Sequence, residues 1–197
     1  MALPATDNFN RANESPIAGN WSTVTGEGSC ALDTNQVHVS GVGTDGAIRW
    51  NADAFGNDHY SQIVVTVLNT DANKCVGPIV RAQAAADTFY AARCLGPAGA
   101  SAVLKLHKTV AGVGAELTSA TVTINVNDTV KLEIVGNTLT CYVNGVSRAT
   151  TNDSAIPSGG GAGILCFVDS GNNTDAAVDT WQGDNSAADV LMPQICL

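Results

Sequence analysis

Residues Asp128 to Thr151 constrain the fold more than any other part of this chain. Val130, Leu132 and Ile134 alternate with Lys131 and Glu133, and after Gly136-Asn137 the same period of two resumes with Leu139, Cys141 and Val143 against Thr138, Thr140 and Tyr142. That period puts every apolar side chain on one face of an extended strand. Asn144-Gly145 then turns the chain again, because both residues tolerate the positive φ that a tight hairpin turn demands. Three antiparallel strands with one apolar face follow, in a register that sets Leu132 against Cys141 and Ile134 against Leu139. Such a meander needs a second layer to cover it.

The rest of the chain supplies that layer. Further strands are expected at Gln36–Ser40, Ala47–Asn51, Tyr60–Leu68, Cys75–Gln83, Thr88–Leu95, Ala102–Thr109, Leu117–Asn125, Gly163–Asp169 and Ala176–Gln182, all separated by Asn, Asp and Gly. No helical i, i+3, i+4 stripe of useful length exists; the Ala-rich Gln83–Asp87 is too short. No fixed repeat suggests a solenoid. About a dozen strands in one chain fit a two-sheet antiparallel sandwich. Residues 1–184 read as its body, and 185–197 as a polar linker followed by an apolar tail.

Composition narrows the partners. Nine Lys and Arg stand against 18 Asp and Glu, a formal net charge of -9, with no basic cluster. Nucleic acid and anionic membranes are therefore not expected partners. No run approaches the ~20 apolar residues that span a bilayer. The opening Met1-Ala2-Leu3-Pro4 lacks the basic and apolar regions of a signal peptide. The six cysteines include no CxxC pair. Cys141 and Cys166 alternate with apolar residues and suit a core, whereas Cys75 and Cys94 lie near opposite ends of a plausible hairpin and could be bridged.

Four segments, taken in order, resemble one family. Asp7-Asn8-Phe9-Asn10-Arg11-Ala12 with Gly19-Asn20-Trp21 is similar to the first strand and turn of concanavalin A-like (LamG-like) jelly rolls. Asp128 to Val146 looks like their late strands, Gly160-Gly161-Ala162-Gly163-Ile164-Leu165 like the lead into their penultimate strand, and Val178-Asp179-Thr180-Trp181 like their closing strand. The resemblance covers Asp7 to about Asp184. It implies a two-sheet antiparallel jelly-roll sandwich whose first strand lies beside its last.

The family includes lectins, glycan hydrolases and lyases, adhesion modules and virion proteins, so the fold does not give the function. Family hydrolases carry a Glu-x-Asp-x-x-Glu pattern on one strand. Here the four glutamates, Glu14, Glu27, Glu116 and Glu133, have no second acid in that spacing, and glycoside hydrolysis is not expected. Family lyases use Tyr, His, Arg and Gln; Arg81, Gln83, Tyr90, His59 and His107 are present but the surrounding blocks are not.

Sugar binding needs aromatic faces beside hydrogen-bonding groups. Trp21, Trp50, Tyr60, Tyr90 and Tyr142 supply the rings, and Trp50, Tyr60, Arg81 and Tyr90 are the candidate glycan-binding residues. No cofactor is expected, although many family members hold a structural calcium between first and last strands, for which Asp7 and Asp179 are the candidates here. In the tail, Val190, Leu191, Met192, Ile195 and Leu197 are each worth ~1.5 to 3 kcal/mol if buried, and Cys196 could cross-link. Such a tail wants a covering partner. The sequence therefore favours a non-catalytic subunit of a protein assembly, such as a virion decoration or fibre-associated protein. The alternative is a secreted module binding cell-surface glycan or, less favoured, a polysaccharide-degrading enzyme. The expected location is a virion surface or the extracellular space.

Overall fold

A computed structural model describes residues 3–69, 73–99 and 101–186. The apolar tail, with Val190, Leu191, Met192, Ile195, Cys196 and Leu197, lies outside the described residues. In chain order the strands are β1 (Ala5–Asp7), β2 (Trp21–Thr23), β3 (Cys30–Asp33), β4 (Gln36–Val39), β5 (Asp45–Trp50), β6 (His59–Leu68), β7 (Lys74–Ala82), β8 (Phe89–Leu95), β9 (Ser101–Val110), β10 (Val113–Thr123), β11 (Thr129–Val135), β12 (Thr138–Val143), β13 (Val146–Asn152), β14 (Gly161–Val168) and β15 (Ala176–Asn185). A single 3-10 turn at Asn173–Asp175 is the helix among the described residues.

The strands form two antiparallel sheets. One has eight strands in the order β13-β12-β11-β6-β15-β4-β3, with β1 also paired to β15; the other runs β10-β9-β8-β7-β14-β5-β2. The meander has the expected register, Leu132 opposite Cys141 and Ile134 opposite Leu139. Asn144 and Gly145 take φ values of 51° and 74°, which is why that dipeptide closes the second turn. First and last strands lie side by side, Asp7 opposite Trp181. The short β2 and β3 escaped the sequence reading because three or four residues are too few for alternation to show.

The core lies between the sheets. Val130, Leu132, Ile134, Leu139, Cys141 and Val143 of the meander are all buried in it. At one end Trp50 stacks on Trp181 with ring centroids 5.1 Å apart, and Trp21 meets both edge-on at 5.2 and 4.7 Å. Such offset and edge-to-face contacts add to the stabilisation from burial. Trp181 Nε1 is satisfied by the buried Ser61 hydroxyl at 2.9 Å, which itself donates to the Gly163 carbonyl.

A Cys75–Cys94 bridge is ruled out by register. Cys75 pairs with Leu95 and Val76 with Cys94, so the two thiols point to opposite faces of the sheet. Cys94 joins the core and Cys75 the outer surface cluster. All five described cysteines are free and buried, and burial pushes the Cys75 and Cys141 thiols up to about 12.

Candidate functional site

Three of the four expected glycan contacts are structural. Trp50 is 3% exposed, within the tryptophan cluster, and its Nε1 donates to Asp53 at 2.8 Å. Tyr90 is buried; its hydroxyl donates to Asp153 Oδ1 at 2.7 Å and accepts from the Ile156 amide at 3.0 Å. Burial, with Asp153 second, pushes this phenol up to about 12. Arg81 is 1% exposed and sits in a bulge of β7 with φ 51°, its guanidinium donating to the carbonyls of Asn57, Gly136 and Ile156. A side chain with its donors consumed and no exposed surface cannot meet a sugar.

The residues whose types suggested lyase chemistry are committed in the same way. His59 Nε2 accepts from the Arg81 amide at 3.0 Å while Nδ1 donates to Gly56 O at 2.8 Å, which fixes a neutral tautomer. Burial first, and the Arg81 charge, lower its pKa to about 4. Gln83 donates to Arg81 O. The structure thus gathers Arg81, His59, Gln83 and Tyr90 at one end of the sandwich, where they tie loops together. His107 lies apart, on β9.

Asp7 and Asp179 also have other work. Asp7 accepts from Phe9 N, Trp21 Nε1 and twice from Arg11 Nη1, all within 2.9 Å. Asp179 Oδ1 accepts from Thr180 N. Among the described residues no group of three or more His, Cys, Asp or Glu is placed to hold a metal.

Tyr60 is the candidate that faces outward, and the register of the eight-stranded sheet shows what surrounds it. Tyr142, Lys131, Gln62, Gln182 and Thr6 are successive cross-strand partners, forming one row over β12, β11, β6, β15 and β1. Beside it runs a second row of Thr140, Glu133, Tyr60 and Asp184. Core residues alternate with these along each strand, so both rows point away from the core.

Polar contacts order this surface. Lys131 Nζ lies 4.4 Å from the Tyr142 ring centroid and 5.1 Å from that of Tyr60, and 3.3 Å from Glu133 Oε1. The ammonium is thereby attracted to both rings and to the Glu133 carboxylate. Tyr142 donates to Glu133 Oε2 at 3.1 Å. Gln182 Nε2 donates to the Tyr60 hydroxyl at 2.8 Å, which leaves that phenol its own proton to give. Burial, with Asp184 and Glu133 behind it, raises the Tyr60 pKa; burial and Glu133 raise that of Tyr142. Both remain neutral donors at ordinary pH. The first row runs into a groove of about 360 Å³ lined by Thr6, Asp7, Asn8, Gln62, Val64, Thr180, Trp181 and Gln182. Sequence reading found Tyr60 by type, but Lys131, Gln62 and Gln182 join it only through strand register.

Acids do meet elsewhere, by a route that spacing along one strand cannot reveal. Glu27, in the loop after β2, approaches Asp45 of β5 and Asp87 of the β7–β8 loop. Burial first, then those two charges, push Glu27 up to about 8. Asp45 is itself bound by the Arg93 guanidinium.

No known protein-family model matches this sequence, and no curated protein matches it. Solved structures do resemble it in three dimensions. The carbohydrate binding module CBM66 from Bacillus subtilis superposes with a TM-score of 0.59 at 20% identity, over 84% of this chain and 92% of that one. The Ca2+/Man-bound exoplasmic/lumenal domain of VIP36 gives 0.60 at 10% identity, over 89% and 86%. A Bacillus licheniformis beta-glucanase gives 0.59 at 11% identity, over 94% and 100%. The fold is that of a concanavalin A-like jelly roll. Carbohydrate-binding modules, lectins and glycoside hydrolases share it with this chain, and no support for a virion origin comes from these likenesses.

Proposed function

We propose that this chain is a non-catalytic carbohydrate-binding module that takes glycan along the outer rows of its eight-stranded sheet. The observation that carries the reading is the cross-strand row of Tyr142, Lys131, Gln62, Gln182 and Thr6, with Tyr60 beside it and a groove continuing it. A sugar ring has an apolar C–H face and a rim of hydroxyls, so it is recognised by half-buried rings next to amides, carboxylates and hydroxyls. This surface offers both within a few residues. The structural likenesses favour such a role over the assembly role expected from the tail.

The test is affinity electrophoresis of the full chain in gels containing neutral plant and microbial polysaccharides, one per gel. We expect retardation in at least one gel, lost in a Tyr60→Ala/Gln182→Ala variant whose thermal unfolding is unchanged. Retardation that survives in that variant moves the site elsewhere. Absence of retardation in every gel removes the reading.

A further inference from the structure

The outer surface of the seven-stranded sheet is occupied by the chain itself. Ala47 of β5, Leu165 of β14, Ile79 of β7 and Ala91 of β8 line an apolar trough there. The segment after β2 crosses it. Val24 N donates to Ala47 O at 2.9 Å and Gly28 N to Asp45 O at 2.8 Å, fixing both ends on the β5 edge. Between them Thr25 Oγ1 reaches Ala84 O at 3.1 Å, on the far side of two strands. Gly26, at φ 91°, lies so close to Asp87 that an added Cβ would stand 2.8 Å from the Asp87 Cβ. Underneath, the wholly buried Val24 packs with Ile79, Ala91 and Leu165.

The charges under this crossing do not balance. Glu27, Asp45 and Asp87 converge from three segments, and the cation among them, Arg93 of β8, is bound to Asp45. Lys105 of β9 is paired with Glu116 at 2.9 Å. His107 of β9 is held toward its neutral form by burial and the Arg93 charge. Cys75 of β7 is a buried, protonated thiol, and Arg49 lies beyond Ala47 on β5. Asp87 Oδ1 is buried and receives no hydrogen bond from any amide, amine or hydroxyl. Two carboxyls in contact without a cation of their own are stable together when one keeps its proton and gives it to the other.

We infer that Val24–Gly28 is a proton-held strap: the carboxylic proton that Glu27 donates to Asp87 closes it over the trough, and surrender of that proton to solvent releases it. With Glu27 ionised, three carboxylates face one guanidinium, and the repulsion falls on the turn held by Gly26 and Thr25. Release uncovers Ala47, Ile79, Ala91 and Leu165. These adjoin a pocket of about 190 Å³ lined by residues including Cys75, Arg93, Lys105, His107 and Phe167. A covered surface in acid thus becomes an open, partly apolar groove in mild alkali.

Hydrogen exchange of the full chain at about pH 6 and about pH 9, corrected for the intrinsic pH dependence of amide exchange, reads this directly. In the native chain we expect protection at Val24–Gly28 to fall by about tenfold at the higher pH while the amides of β6 and β11 keep theirs. Glu27→Gln, whose amide donates without titrating, should hold its protection at both values. Asp87→Asn, which removes one of the repelling charges, should lose less than the native chain. Equal protection of the native strap at both pH values overturns the inference, as does an equal alkaline loss in Glu27→Gln and Asp87→Asn.

Discussion

Replacing Arg81 by Met keeps most of the volume and removes every donor. The guanidinium now holds three chain segments, through the carbonyls of Asn57, Gly136 and Ile156. Hydrogen bonds from a charged donor are each worth about 1.5–3 kcal/mol. Asn57 and Gly136 are exposed and water can replace the lost donor there, whereas Ile156 is buried. The unmet carbonyl at Ile156 and the partial loss at the other two come to about 3 kcal/mol. For a domain of this size that lowers Tm by about 6–12 °C. Differential scanning calorimetry of Arg81→Met and Arg81→Lys measures it, and the Lys variant, with one donor group instead of a fork, should fall between. A Tm for Arg81→Met within about 2 °C of the native value would refute the argument.

Other outcomes follow from the same contacts. The His59 imidazole has a folded pKa of about 4, below the ordinary 6.5. Its contribution is therefore fully present above pH 6.5 and is lost as pH falls toward 4, by up to about 3 kcal/mol; an NMR titration showing His59 protonating near its ordinary value would contradict this. Ser61→Ala strands Trp181 Nε1 and the Gly163 carbonyl inside the core, and urea denaturation should show a loss of about 2–3 kcal/mol. The buried thiols of Cys30, Cys75, Cys94, Cys141 and Cys166 should resist a thiol reagent in the folded protein and react after denaturation; a Cys75–Cys94 crosslinked peptide in a non-reduced digest would count against the register.

The meander was readable because three consecutive segments each keep strict alternation and their turns carry their own chemistry. β7 was harder, since all nine of its residues are buried and alternation has nothing to contrast. For the same reason Arg81 and Tyr90, polar by type, looked available although a bulge and a second covered face put both inside. Trp50 shows the limit for aromatics: whether a ring fills a core or faces a ligand depends on which sheet lies over it. The proposed site was half legible. Tyr60 could be named, but its neighbours come from positions as far apart as Thr6 and Gln182, and no local pattern encodes that meeting. Glu27 was passed over because the acids it meets arrive from other strands and loops.

The outward rows of the eight-stranded sheet carry one further consequence. Each of their members alternates with a core residue on its own strand, so the side chains that would touch a ligand are not the ones that hold the sandwich together. Exchanging Gln62, Lys131, Gln182 or Thr6 alters the chemistry presented while Ile63, Leu132 and Trp181 continue to pack beneath. Under the proposed function, recognition and folding are written in alternate letters of the same strands, and one can be rewritten without erasing the other.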